Sequence, residues 1–431
     1  MKSFLKVLAF IVGAVAFFCV GFTWKDIKNQ EAPSAESFQR LISAEKRVQL
    51  TPTQLFKNHY THISSSYYRP VDVEQLKYAG MNGLMASLGD PHTIFMEPKI
   101  SADFQTGTSG NFVGIGARLE PDPLGAKIVS PFPNGPADKA GMKAGDIIVA
   151  IDGESTANQE VDDLVTKIRG EEGTLVRISV SREGVDEPIM LTIRRARVFT
   201  PTVESRILPG TTIGYLSISE FSEPTASQFD ESLQKLMSAQ ISGLIIDLRS
   251  NGGGLLESAT EILSRFVADR VVVKMKRRNG EEKVVKTFSG IDRELKVPIA
   301  VLVNEESASA AEIMAGVLKD YRIATLVGEH TYGKASVQQV FPMADGSSAK
   351  ITTARYFLPS GTDISRTVDE EGQYVSGGLK ADVRVELETR RGVVVGDIRT
   401  DNQLQAAVKV VKGEPVSSAP TPPPAPTPAT P

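Results

Sequence analysis

A serine and a lysine in the second half of the chain have the residue types of a nucleophile and its base. Ser309 lies in the segment Asn304–Met314, where a polar, small-residue loop passes into an apolar-periodic helix. A hydroxyl at a helix N-terminus faces unpaired backbone N–H groups and the positive end of the helix dipole, where an oxyanion would be stabilised. Glu312, three residues after Ser309, also makes the pattern a capping box. The sequence therefore allows two interpretations of Ser309, as a nucleophile and as a helix cap.

Lys334 is the candidate base, and His330 is its alternative. Glycine and small residues flank Lys334, so a buried ammonium there could lose its proton and accept one from a serine. Gln338 lies four residues later and could orient the lysine amine on a helical turn, whereas on a strand the two would be about 13 Å apart. The dyad therefore predicts a turn from Lys334 to Gln338. The alternative is an exposed lysine and an ordinary polar glutamine.

The elements around Ser309 predict the scaffold that positions it. Apolar runs at 213–218, 243–248, 298–303 and 323–327 alternate with helical patterns at 226–239, 255–266 and 309–320, and a last helix is expected around 403–411. This alternation indicates a largely parallel sheet with helices on its faces, whose active site lies beyond the carboxyl ends of the strands. The Ser309 loop and the loop Asp247–Leu255, with its three glycines, both occupy such positions.

Two further regions precede this core. The pattern before residue 98 is helical, with a helix start at Thr51-Pro52, and it ends in the turn Leu88–Thr93, where His92 is either catalytic or a residue that fixes the turn. Short strands at 112–117, 126–130, 146–153, 176–180 and 189–193 and a helix at 161–168 then form a separate module.

The strand module resembles a PDZ domain in its run Pro133-Asn-Gly-Pro-Ala-Asp-Lys-Ala-Gly-Met-Lys-Ala-Gly-Asp-Ile-Ile, which ends in Ile151-Asp-Gly153. The resemblance implies that four residues form the loop that holds a peptide's C-terminal carboxylate while the peptide adds a strand to the sheet edge. These residues are Phe112, Val113, Gly114 and Ile115.

Four separated motifs together resemble the carboxyl-terminal processing peptidases, also called tail-specific proteases, from roughly residue 50 to 408. They are the PDZ module, Asp-Leu-Arg-x-Asn-x-Gly-Gly-Leu from Asp247, the Ser309 loop, and Gly-Lys-x-Ser-Val-Gln from Gly333. The family implies Ser309 as nucleophile, Lys334 as general base and Gln338 as the residue that orients the base. It implies oxyanion N–H donors from Ala310 and from Gly253, with Gly254 second.

The family further implies a structural role for Ser307 and a role for Arg169 in linking peptide occupancy of the PDZ module to the active site. The chain departs from its relatives at Gly252, where proline is usual, and at Ala335, where glycine is usual. A usual proline is also missing near Gly378–Asp382. None of these departures removes a reacting group.

Composition excludes other classes of protein. The 431 residues are 41% hydrophobic with a net charge of −4, which gives no reason to expect nucleic acid. Cys19 is the single cysteine and the four histidines form no ligand pattern, so we expect no metal and no cofactor. Lys2 and Lys6 precede an apolar run to Trp24, which is typical of an export signal that is cleaved or kept as a membrane anchor.

The predicted fold is α/β and multidomain. It comprises a signal or anchor at 1–24, a helical region at 25–98, a PDZ domain at 99–199, a catalytic core with a C-terminal helix at 200–413, and a disordered proline-rich tail at 414–431. The mainly β PDZ domain precedes a core with a mixed, largely parallel sheet.

The predicted function is a serine endopeptidase, exported to a periplasmic or other extracytoplasmic site, that cuts envelope proteins near their C-termini. Expected partners are protein or peptide substrates with exposed C-termini, an adaptor of the kind relatives often need, a second copy of the chain and, at the N-terminus, a membrane. The alternatives are a non-catalytic scaffold that binds C-terminal tails and a Ser-His hydrolase of small esters.

Overall fold

The computed structural model describes residues 50–293 and 295–416. The predicted signal or anchor at 1–24, which includes Cys19, residues 25–49 of the helical region and the tail from residue 417 lie outside the described residues. Within the part that is described, no helix combines the length and the apolar character needed to span a bilayer.

The first compact unit ends at Gly80 and contains α1 (Pro52–Ser66) and the start of α2 (Val73–Ala86). The helix start predicted at Thr51 is confirmed, because Thr51 caps α1 and Pro52 occupies its first turn. The Thr51 hydroxyl accepts a hydrogen bond from Gln54 N at 3.3 Å, and the Gln54 side chain accepts one from Thr51 N at 2.9 Å. This reciprocal pair satisfies two backbone donors that helix formation leaves free.

The second unit begins at Met81, and its first part is the predicted strand module. Its elements follow β1 (Ile94–Met96) and α3 (Pro98–Ser109): β2 (Asn111–Gly114), β3 (Ala117–Asp122), β4 (Gly125–Pro131), α4 (Pro136–Lys139), β5 (Ile147–Ile151), β6 (Glu154–Ser155), α5 (Val161–Ile168), β7 (Leu175–Ser181), β8 (Ile189–Arg194) and β9 (Ala196–Phe199).

The strands of the module are antiparallel, in the order β3-β4-β5-β7-β8, with β6 on β5 and a separate pair of β2 with β9. Alternating residues of β7, such as Val176, Ile178 and Val180, are fully buried and meet Leu164 and Ile168 of α5. The module thus has a hydrophobic core of its own, as the alternating strand pattern predicts.

The core of the protein is built on a six-stranded sheet in the order β10-β11-β12-β15-β16-β21. Only β10 and β11 pair antiparallel, which confirms the prediction of a mixed, largely parallel sheet. Its elements are β10 (Val203–Ile207), β11 (Ile213–Ile218), α6 (Thr225–Ser238), β12 (Gly243–Asp247), α7 (Leu256–Leu263), β15 (Ile299–Val303), α8 (Ala310–Asp320), β16 (Thr325–Gly328), β21 (Val383–Arg384) and α9 (Asn402–Lys412).

Both faces of this sheet are covered by helices. Val301 and Val303 pack with the buried faces of α6, α7 and α8, whereas Ala300 and Leu302 pack against α9 on the opposite side. All five residues of β15 are buried. A continuous apolar strand is what a parallel sheet covered on both faces requires.

A second, antiparallel sheet contributes the wall opposite Ser309. Its order is β1-β18-β13-β14, and β17 pairs with β18. Its later strands are β13 (Val271–Arg277), β14 (Glu282–Lys286), β17 (Ser336–Pro342) and β18 (Ser348–Phe357), and the short pair β19 (Thr367–Val368) and β20 (Tyr374–Ser376) stands apart. Because β17 follows Lys334 directly, this sheet determines where the candidate base lies.

A buried ion cluster joins the glycine loop to the last helix. The Arg249 guanidinium contacts Asp247 at 2.6 Å and Asp401, the N-cap of α9, at 2.8 Å, and all three side chains are at most 5% exposed. Burial opposes ionisation of Asp401, yet the hydrogen bonds and charge of Arg249 hold the pKa of that carboxyl below its ordinary value. The arginine of the Asp-Leu-Arg motif is therefore a structural anchor.

We expect Arg249→Leu to lower the free energy of unfolding by about 3–5 kcal/mol, because two buried carboxylates lose their counter-charge. The measurement is chemical denaturation at pH 7. Since the folded-state pKa of Asp401 is lowered, the stabilisation is present above its unfolded value of about 4 and is lost as pH falls through the folded value. The difference in the free energy of unfolding between parent and variant should therefore become smaller in acid. A variant as stable as the parent at pH 7 would contradict this account.

Candidate active site

Ser309 lies between the carboxyl end of β15 and the first turn of α8, as its sequence predicts. It is the N-cap residue, with φ 55° and ψ −116°. A non-glycine residue at positive φ is strained, and such strain persists only where surrounding contacts fix it. Ser309 is half-buried and faces a cavity of about 820 Å³.

The loop that carries Ser309 is bonded to the glycine loop. The fully buried Ser307 hydroxyl donates to Leu248 O at 2.8 Å and accepts from Asn304 N at 3.0 Å. Ala308 N donates to Asn251 O at 2.9 Å. These bonds agree with the structural role predicted for Ser307 and fix the backbone on both sides of the serine.

Glu312 connects the nucleophile loop to the base. Its Oε2 accepts hydrogen bonds from Ser309 N and Lys334 N, each at 2.9 Å. Its Oε1 accepts from the Thr331 hydroxyl and from Gly333 N, each at 2.6 Å. Burial raises the pKa of this fully buried carboxyl, and the four hydrogen bonds oppose that rise. The capping box is present, but the same carboxylate also holds the backbone of the candidate base.

Lys334 lines the same cavity as Ser309. Burial is the main cause that lowers the pKa of its ammonium, the Lys350 charge lowers it further, and Asp90 and Glu312 act in the opposite direction. Among the described residues, no hydrogen bond links the Lys334 ammonium to the Ser309 hydroxyl. The two groups therefore share a cavity in a conformation where the dyad is not closed.

The turn predicted from Lys334 to Gln338 is wrong. Ser336–Pro342 form strand β17, with a β-bulge between Val337 and Gln338 where the strand pairs with β18. The Gln338 amide donates to the Ser336 hydroxyl at 2.9 Å and to the Thr352 hydroxyl at 3.1 Å. Gln338 lines the cavity, but pairing with β18 extends the chain, so its amide is not bonded to the lysine amine in this conformation.

The glycine loop lies against the serine. A Cβ on Gly253 would lie 2.7 Å from the Ser309 Cβ. Gly254 has φ 135°, and a Cβ on it would collide with Phe221 O. Gly253 N already donates to Asn251 Oδ1 at 2.8 Å. Gly254 and Ala310 both line the cavity, and neither backbone N–H has an acceptor among the described residues. In this conformation these two N–H groups are free to bind an acceptor in the cavity.

Apolar side chains from the antiparallel sheet and from helices α7 and α8 line part of the cavity. They are Leu256, Met275, Ile313, Val337 and Ala354. Polar and charged groups occupy other parts of the lining, including Glu220, whose pKa is raised by burial. The cavity that contains Ser309 therefore has both apolar and polar parts.

Neither histidine considered from the sequence is bonded to Ser309. His330 Nε2 contacts Glu305 at 3.0 Å, its ring stacks on Tyr374 at 4.1 Å, and it is not part of the cavity wall. His92 N donates to Asp90 Oδ1 at 2.9 Å in the turn before β1. His92 thus belongs to the turn, and the geometry favours Lys334 as the base.

The predicted peptide-binding loop begins on β2. Phe112, Val113 and Gly114 pair with β9, and Ile115 is buried at the end of the strand. Arg169 follows α5, with its guanidinium 5.2 Å from the Phe112 ring centre and 3.8 Å from the Asp103 carboxylate of α3. Helix α3 also lines the catalytic cavity through Phe104, Gly107 and Thr108. Arg169 therefore lies between the loop and a helix of the cavity wall.

We expect Glu312→Gln to lower the free energy of unfolding by about 2–4 kcal/mol. Glutamine offers one acceptor oxygen, and its amide group would face N–H donors, so buried donors lose their partners. Thermal and chemical denaturation measure the loss. Glu306→Gln, at an exposed residue of the same loop, is the matched control and should change stability little. Equal stabilities for the two variants would contradict the proposed role of the carboxylate.

Three parts of the chain match models of known protein families. Residues 212–384 match peptidase family S41, residues 127–182 match the PDZ domain, and residues 10–100 match the N-terminal domain of the activating protease CtpB. A putative S41 protease from Bacteroides fragilis has a similar fold, with a TM-score of 0.50 at 16% identity over 82% of this chain and 96% of that one.

Two curated relatives are similar over most of their length. The chain is 36% identical to the carboxy-terminal processing protease CtpB of Bacillus subtilis, over 76% of this chain and 70% of that protein. It is 32% identical to the carboxy-terminal-processing protease of Bartonella bacilliformis, over 83% of this chain and 88% of that protein. The chain belongs to the carboxy-terminal processing proteases of peptidase family S41, which are serine-type peptidases, and it carries a PDZ domain.

Proposed function

We propose that this peptidase uses a Ser-Lys dyad, with Ser309 as nucleophile and Lys334 as general base, to cut envelope proteins near their C-termini. The observation that carries the proposal is the convergence on one cavity of the Ser309 side chain, a lysine whose pKa is lowered, and the unpaired N–H groups of Gly254 and Ala310. Such a set supplies the parts of acyl transfer.

The reaction begins when neutral Lys334 takes the hydroxyl proton of Ser309 as its oxygen attacks the scissile carbonyl. The N–H groups of Gly254 and Ala310 stabilise the resulting oxyanion. The lysine ammonium then gives its proton to the leaving amine, and the acyl-enzyme forms. Neutral Lys334 next activates a water that hydrolyses this ester and regenerates the serine.

The dyad must close before this chemistry begins, because Ser309 and Lys334 are not hydrogen-bonded here. We place the trigger for closure at the PDZ domain, where Phe112–Ile115 would hold the carboxylate of a substrate tail. Arg169 supports this coupling, since it contacts both Phe112 and α3, and α3 lines the catalytic cavity. The PDZ domain and the match to an activating-protease N-terminal domain are consistent with peptide substrates and with an activating partner.

The site of action in this proposal is outside the cytoplasm. The basic and apolar leading segment at residues 1–24, which lies outside the described part, supports export. The apolar part of the cavity that contains Ser309 favours substrates with an apolar side chain before the cleaved bond.

Ser309→Ala and Lys334→Ala should each lower kcat by at least about 10³-fold, because each removes a group that reacts. The measurement is cleavage of an unfolded protein with an apolar C-terminal tail, followed by mass spectrometry of the products. Binding of the tail peptide to the Ser309→Ala variant, measured by calorimetry, should persist because the PDZ loop is intact.

His330→Ala is the control for the base assignment and should cleave at a rate similar to that of the parent protein. Normal cleavage by Lys334→Ala, together with loss of cleavage in His330→Ala, would assign the role of general base to His330 instead of Lys334. Binding of tails without any cleavage by the parent protein would favour the non-catalytic scaffold instead.

A further inference from the structure

Lys350 lines the same cavity as Ser309 and Lys334. It lies on β18, where the register pairs it with Ile94 of β1 and Val340 of β17. Its ammonium is 5.4 Å from the centre of the Phe104 ring, and the residue is half-buried. No carboxylate of the described residues lies within ion-pair distance of it. Lys334 and Lys350 thus line one cavity together with Lys283, and Lys350 has no anionic partner among the described residues.

Asp90 is tied to the same sheet from the turn before β1. Its carboxylate accepts hydrogen bonds from the Thr93 hydroxyl at 2.7 Å and from the Thr352 side chain. Thr352 N donates to the Thr93 hydroxyl at 3.0 Å, and the Thr352 hydroxyl accepts from the Gln338 amide at 3.1 Å. A continuous chain of hydrogen bonds therefore runs from Gln338 in the cavity wall to Asp90.

We propose that Lys350 and Asp90 are positioning residues of opposite effect that together set how much of Lys334 is unprotonated before substrate binds. This inference rests on the proposed role of Lys334 as the general base. Lys350 acts as a fixed positive charge that disfavours a second ammonium in the cavity. Asp90 limits that effect, so that Lys334 can still carry the proton that the leaving amine needs.

The physical basis is the interaction between like and unlike charges in a partly dry site. A nearby like charge disfavours the charged form of a group, and an opposite charge favours it. Burial lowers the pKa of Lys334 first, Lys350 lowers it further, and Asp90 and Glu312 raise it. Other titratable groups near these residues include His92 from the turn, whose pKa is lowered by burial and by both lysines, and Tyr356 from β18, whose pKa is raised by burial. The cavity is also lined by Glu220, Glu257, Arg277 and Lys283.

Removing the charge of Lys350 and removing the charge of Asp90 should shift the pH dependence of cleavage in opposite directions. The rate constant kcat/KM of a lysine-base peptidase rises with pH as the lysine loses its proton. Removing the Lys350 charge raises the pKa of Lys334 and moves this rise to higher pH. Removing the Asp90 charge lowers that pKa and moves the rise to lower pH. A purely structural role would not shift the two variants in opposite directions.

The experiment measures kcat/KM against pH for the full chain and for Lys350→Gln, Lys350→Arg and Asp90→Asn, with an unfolded protein as substrate. We expect the rise to move up by about one pH unit in Lys350→Gln and down by a similar amount in Asp90→Asn. Lys350→Arg should restore the position of the rise because it keeps the charge. Lys274→Gln, at an exposed lysine of the neighbouring strand β13, controls for net charge.

Folding of each variant is checked by circular dichroism, and either charge-removing variant alone is sufficient for the test if the other does not fold. The inference would be overturned if the rise of kcat/KM with pH is not shifted in a folded charge-removing variant, or if both variants shift it in the same direction. A higher KM in Lys350→Gln with an unshifted rise would also overturn it and assign Lys350 to substrate binding. Lys334→Ala separates the two proposals, because only its normal activity would refute the dyad itself.

Discussion

The buried carboxylate of Glu312 holds together the two loops from which the active site is built. It accepts hydrogen bonds from the backbone of Ser309 at the start of α8 and from the backbone of Gly333 and Lys334 before β17. The two loops are distant in sequence: one leads from β15 of the parallel sheet into α8, and the other precedes β17 of the antiparallel sheet. Because four donors converge on one carboxylate that has no access to water, the loops cannot move apart without leaving buried donors unpaired. The positions of nucleophile and base are thereby coupled.

Two other features of the fold position the loops that this carboxylate joins. The parallel sheet places the Ser309 loop and the glycine loop at neighbouring strand ends, and the Arg249 ion cluster fixes the glycine loop to α9. The antiparallel sheet places Lys334 and Lys350 opposite them. The backbone of both loops is therefore fixed, while the Ser309 and Lys334 side chains are not hydrogen-bonded to each other.

Much of the scaffold could be predicted from the sequence because buried parallel strands are continuous apolar runs, as Ile299–Val303 shows. Glu312 was predicted only as a cap, since the local pattern accounts for its bond to Ser309 N and its other three donors come from residues distant in sequence. The turn predicted at Gln338 is wrong because contacts within one segment do not decide the conformation there, whereas pairing with β18 does. The resemblance places Gly253 before Gly254 as an oxyanion donor, but Gly253 N donates to the Asn251 side chain, a contact that the sequence pattern does not show.

The most direct test of the central claim is the rate at which a fluorophosphonate modifies Ser309 while a C-terminal tail peptide is bound. The rate is measured against pH, and the adduct is located by peptide mass spectrometry. The account predicts one adduct, on Ser309, whose rate of formation rises with pH at a midpoint below the ordinary lysine value of about 10.4. It predicts almost no adduct in Lys334→Ala. An adduct on another residue, or modification of Ser309 at an unchanged rate in Lys334→Ala, would contradict the account.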